Sequence, residues 1–193
     1  PRFRFDPAEH AAPNRIYHET TSDSYFTRIA GPDERFDLIF IDGLHTFEQT
    51  LRDLVCALAA LDDGGALLID DVLPNDVYSA LRDQKEAVQA RAAAGGKGKS
   101  WHGDVYKVVF ALHDFFPMLD YRTFKDGGNP QTLAIRRPRR DFSPRFDDLE
   151  AISRLGYFEL RQPENLAAFN LVPEAEVLGW LAEHVGAAPG NGV

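Results

Sequence analysis

The stretch FDLIFIDGLHTFEQTLRDL, residues 36–54, answered at 64–74 by GGALLIDDVLP, decides the fold. Each half contains an apolar run that stops on aspartate: Asp42 in the first, Asp70 and Asp71 in the second. DLIFID at 37–42 is apolar without alternation, which predicts a strand covered on both faces. From His45 onward the period changes, with Phe47, Leu51, Leu54, Val55 and Leu58 at helical spacing until Asp62, Asp63, Gly64 and Gly65 end the pattern. ALLID at 66–70 then reads as a second buried strand. A strand, helix, strand unit predicts parallel strands joined by a right-handed crossover, so both carboxyl ends emerge at one edge of the sheet. The three aspartates are expected there together.

Outward from this unit, RIYHE at 15–19 is strand-like between the turn-forming AAPN and the polar TTSDS. Past Pro74, NDVYSALRDQKEAVQARAAA is helical in residue choice, AGGKGKS at 94–100 is a break, and GDVYKVVFALHDFF has a helical apolar stripe. Asp104, with Gly103, is expected to cap that helix. MLDYRTF at 118–124 and TLAIR at 132–136 predict an antiparallel hairpin. The order indicates an α/β fold: a Rossmann-like, doubly wound, mostly parallel sheet closed by a C-terminal antiparallel hairpin, with residues 1–137 as the main domain.

RRPRRDFSPR at 136–145, with five arginines, reads as a solvated linker. Beyond it a small helical appendage is expected over 138–185 and a disordered tail over 186–193. The tail of a phosphate-binding loop, Gly98-Lys99-Ser100, lacks both its first glycine and a preceding strand.

Composition sets limits. The 21 Lys plus Arg against 30 Asp plus Glu give a formal net charge of -9, which disfavours nucleic acid and anionic membrane as partners. The single cysteine, Cys56, excludes an intrachain disulfide and a thiolate cluster, and predicts a reducing, cytoplasmic setting. The only methionine is Met118, which suggests a processed product or a piece of a longer polypeptide.

Open α/β sheets bind ligands beyond the carboxyl ends of their strands. Three converging carboxylates repel one another unless a cation joins them, and an all-oxygen set favours Mg²⁺. The alternative is that one aspartate caps the helix while the other two are solvated or hydrogen bonded to backbone. His45, three residues past Asp42, stands where a near-neutral imidazole can take a proton from a hydroxyl. Its alternative is a polar residue in the first helical turn.

These residues carry a resemblance. FDLIFIDGLHTFEQTLRDL with ALLIDDVLP resembles class I S-adenosylmethionine-dependent methyltransferases, most of all the metal-dependent O-methyltransferases of small-molecule and sugar hydroxyls. The resemblance implies S-adenosylmethionine and Mg²⁺ as cofactors, with Asp42, Asp70 and Asp71 as metal ligands and Asp42 and His45 as catalytic residues. It also implies that Thr21, Ser22, Asp23 and Asp42 lie by the cofactor, where Ser22 and Asp23 can bond the adenine edge. WHGDVYKVV at 101–109 is similar to a related bacterial group, with no chemistry attached to it. The glycine-rich turn expected after a first strand and the acidic residue expected after a second are not in this sequence, which implies that a first strand beside the fourth is missing here. The expected partner is a small hydroxyl compound, with a homo-oligomer plausible. The competing readings are a non-catalytic methyltransferase-like binding module or cofactor-incompetent fragment, and a phosphoacceptor receiver domain, in which the acidic pair would come first in the chain.

Overall fold

The computed structural model describes residues 5–126 and 128–187, and the chain divides into two compact units, one ending at Glu34 and one beginning at Arg35. In the first unit a 3₁₀ turn, Pro7–His10, is capped by Asp6, which accepts from the Ala8 amide at 2.9 Å. Helix α1, Ser22–Arg28, is capped by Thr21, whose hydroxyl accepts from Ser24 N at 3.2 Å. RIYHE is not a strand. A strand needs a partner edge for its backbone groups, and here Ile16 stands 81% exposed in irregular chain.

The second unit holds a four-stranded sheet in the order β1-β2-β4-β3, with β1 Phe36–Ile41, β2 Leu61–Ile69, β3 Leu119–Phe124 and β4 Gln131–Arg136. β1 and β2 are parallel and joined by helix α2, Phe47–Ala60. β4 runs antiparallel to both of its neighbours, β2 and β3, so the expected hairpin folds in with its second strand against β2. The helix expected after Pro74 begins only at Gln84 as α3, Gln84–Ala93, because residues 75–83 are spent on turns. Helix α4 is Tyr106–Phe115, and the C-terminal part folds as α5 Leu149–Ser153, α6 Tyr157–Leu160, α7 Pro163–Ala167 and α8 Glu174–Ala187.

Alternation along the strands divides the apolar side chains between two cores. Leu67 and Ile69 of β2 point with Ala134 into the larger one, built with Leu54 of α2, Phe110 of α4, Ile152, Leu160 and Phe169. The C-terminal helices therefore share the core of the sheet unit. Ala66 of β2 points the other way, with Leu133, Ile135, Val177 and Trp180. α8 packs on this face against β2 and β3, while β1 lacks comparable cover. Consequently Leu38 and Phe40, paired with Ala66 and Leu68, remain 58% and 51% exposed. DLIFID is thus an edge strand with one bare face, not a strand covered on both.

The arginine-rich segment is not a solvated linker at its start. Arg136 donates to the Leu58 and Leu61 carbonyls, and Arg139 to those of Leu112, His113 and Leu119. Arg137 pairs with Asp120 and lies over the Trp180 ring, 5.3 Å from its centroid. The carbonyls at the ends of α2 and α4 lack helical partners, and guanidinium groups with several donors satisfy them. The expected tail of 186–193 falls outside the described residues from 188 onward.

Candidate active site

Parallel register sets the site. Ile41 pairs with Ile69, and Asp70 N donates to Ile41 O at 3.0 Å, so Asp42 and Asp70 leave the sheet side by side. The next residue turns sharply: Asp71 has φ +58°, a left-handed conformation that Asp tolerates better than most residues. His45 has φ +57° on the opposing loop. Such strained backbone concentrates at functional sites and persists only where the surroundings hold it.

The two loops bring a histidine between two carboxylates. His45 Nε2 is 3.0 Å from Asp42 Oδ1, and its Nδ1 is 3.3 Å from Asp71 Oδ2. One ligand atom from each of the three residues falls within 4.8 Å of the others, a group able to hold a metal ion. Asp70 is not in that group: its Oδ1 accepts from Asp71 N at 2.9 Å and from Gln131 Nε2 at 3.1 Å. Of the three aspartates expected to converge, the structure brings Asp42 and Asp71 together and adds His45. Thr21, Ser22 and Asp23 lie in the first unit, at the start of α1.

Burial pushes the Asp71 carboxyl up to about 6, with the charges of Asp70 and Asp42 acting in the same direction and His45 opposing them. His102, 1% exposed, has Nε2 3.5 Å from Asp71 Oδ1, and neither ring nitrogen has a hydrogen-bond partner. Burial holds His102 below the ordinary imidazole range, and His45 adds to this.

The wall of the site comes from residues 101–104. The Trp101 ring stacks on that of His45, and its Nε1 donates to Leu81 O at 2.7 Å. Gly103 has φ +61° and passes so close to the His45 carbonyl that no side chain fits there. Asp104 does not cap the helix that follows it. Its Oδ1 accepts from Phe47 N at 2.8 Å, at the start of α2, where Thr46 makes no side-chain cap. Its Oδ2 accepts from Arg82 at 3.0 Å and Lys107 at 3.1 Å. A single WHGD stretch thus packs on the ring and backbone of His45 and caps the helix that begins two residues later.

Residues 2–72 match the model of a family described as a methyltransferase domain. Over these residues the chain is similar to that family. The methyltransferase segment includes Asp42, His45 and Asp71, the three residues that meet at the strand tips. No curated protein and no solved structure matches the chain. The supporting wall, Trp101 to Asp104, lies beyond the methyltransferase match. The local pattern gave Asp104 only a cap on the helix that follows it, since the contacts of WHGD with residues 45–47 span more than 50 positions. Among the described residues, no helix is long and apolar enough to cross a membrane.

Proposed function

We propose that the protein transfers a methyl group from S-adenosylmethionine to a hydroxyl oxygen of a small molecule or sugar, within a Rossmann-like fold and with Mg²⁺ as cofactor. The observation that carries this reading is the His45 imidazole between Asp42 and Asp71 at adjacent strand tips of a methyltransferase segment.

Mg²⁺ commonly takes one or two protein carboxylates and keeps several waters. Asp42 and Asp71 suit it, and Asp70 is free to serve as the tie to Gln131. Bound there, the cation supplies Lewis acidity that lowers the pKa of an acceptor hydroxyl. His45 accepts the hydroxyl proton at a ring nitrogen, and the two flanking carboxylates stabilise the imidazolium that results. Thr21, Ser22 and Asp23 are the residues proposed to meet the adenosyl group. Their hydroxyl and carboxylate oxygens are of the kind that bonds a purine edge.

The test is methyl transfer to a panel of polyhydroxylated small molecules. EDTA is expected to abolish it, Mg²⁺ to restore it, and His45→Ala to lower it by about 10²–10⁴-fold with the fold intact. A fully active alanine variant removes His45 from the scheme, and activity indifferent to EDTA removes the cation.

One observation favours a second reading, a non-catalytic or cofactor-incompetent module. β1 ends the described sheet with Leu38 and Phe40 bare. Calorimetric titration with S-adenosylhomocysteine separates the two readings: heat of binding supports the enzyme, and its absence supports the cofactor-incompetent module.

A further inference from the structure

The imidazole of His45 is not fixed by its polar contacts alone. Among the described residues only Nε2 finds a hydrogen-bond partner, Asp42 at 3.0 Å, while Nδ1 is buried without one although Asp71 is 3.3 Å away. Rotation about the terminal torsion of histidine is broad and roughly two-fold. A ring with one anchored nitrogen therefore needs a surface to hold its plane.

That surface is Trp101. The two rings are 4.7 Å apart between centroids and only 19° from parallel. The indole is itself fixed, through Nε1 to Leu81 O at 2.7 Å. The residues that follow it are fixed as well, because His102 N and Gly103 N both donate to Ser79 O, at 2.9 and 3.0 Å. Ser79 and Leu81 lie on the loop that leaves β2 through Asp71. One continuous segment therefore places both the Asp71 carboxylate and the support for the ring that faces it.

We propose that Trp101 is a positioning residue for His45, holding the imidazole plane so that one nitrogen faces Asp42 and the other Asp71. The proposal rests on the reading of His45 as proton acceptor for its consequence in catalysis, but not for the geometry itself. The effect of Trp101 passes through the orientation of the ring.

The experiment uses the full chain and two variants, Trp101→Leu and Trp101→Phe. The ring C–H resonances of His45, assigned by their loss in His45→Ala, are expected to be displaced upfield by the indole. Trp101→Leu should lose that displacement, and Trp101→Phe should retain part of it. In the methyl-transfer assay Trp101→Leu should lower kcat about ten-fold with the KM for S-adenosylmethionine unchanged, and Trp101→Phe should recover most of the loss. A variant that is merely unstable would not show that pattern.

His45 resonances in Trp101→Leu that match the parent's overturn the proposal, as does an unchanged kcat. If the parent shows no methyl transfer, the proposed function fails while the resonances still decide the positioning. If the parent transfers methyl groups and the resonances do not move, the positioning alone fails.

Discussion

Gly103 and His45 touch backbone to backbone: a Cβ on residue 103 would lie 2.9 Å from the His45 carbonyl carbon and 3.0 Å from its Cβ, nearer still to the carbonyl oxygen. Gly103 also has φ +61°, where any L side chain is strained. Gly103→Ala is therefore expected to cost on the order of 2–3 kcal/mol and to displace His45. Urea denaturation measures the first effect and the His45 ring resonances the second. An alanine variant with parental stability would show that the two loops are not held together.

Asp71 should make stability fall as pH rises through a defined window. Its carboxyl is raised from 3.8 to about 6, so between these values the folded protein holds a proton that the unfolded chain has released. Stability is then lost as pH climbs from about 4 to about 6 and is flat beyond, for this group. Asp71→Asn removes the cost of ionising a buried group and suits the left-handed φ. With chelator present, its Tm should exceed the parent's at pH 8, by about 2–4 °C for each kcal/mol gained. The two should converge below pH 4. A constant difference across the range would refute the assignment.

The turn that supports Trp101 depends on an ion pair. Arg91, 3% exposed, donates to both carboxylate oxygens of Asp76 at 3.0 and 2.9 Å and to Ser100 O at 2.8 Å. The Arg91 bond holds the Asp76 carboxyl down at about 2. This stabilisation is present above about pH 4 and disappears as pH falls toward 2. Because the Asp76 side chain is 42% exposed, Asp76→Asn should cost only about 1–2 kcal/mol at pH 7. Thermal melts should show that gap narrowing in acid.

Phe110 is fully buried and meets the rings of Phe146 and Phe169 edge-on, at 5.6 and 5.4 Å between centroids. Phe110→Ala should cost about 3–5 kcal/mol. Because these partners come from the C-terminal part, the loss should appear in one cooperative transition of the sheet unit with its helices. Two separated transitions, only one of them shifted, would contradict a shared core.

The alternation of apolar runs and helical spacing over 36–70 determined by itself that β1 and β2 are parallel strands joined by α2 and that Asp42 and Asp70 leave the sheet together. That much is local: residue period sets the element, and a short crossover sets the strand direction. The hairpin of β3 and β4 was legible for the same reason. Only the tertiary structure decided that one face of β1 stays bare, since nothing in DLIFID says how far α8 reaches across the sheet. It also decided which carboxylates meet. Asp70 and Asp71 are adjacent in sequence and both acidic, yet the left-handed turn at Asp71 and the Gln131 amide beside Asp70 send them to different partners. The roles of Trp101, Gly103 and Asp104 depend on contacts across more than 50 residues, where packing rather than local pattern determines which groups come within reach.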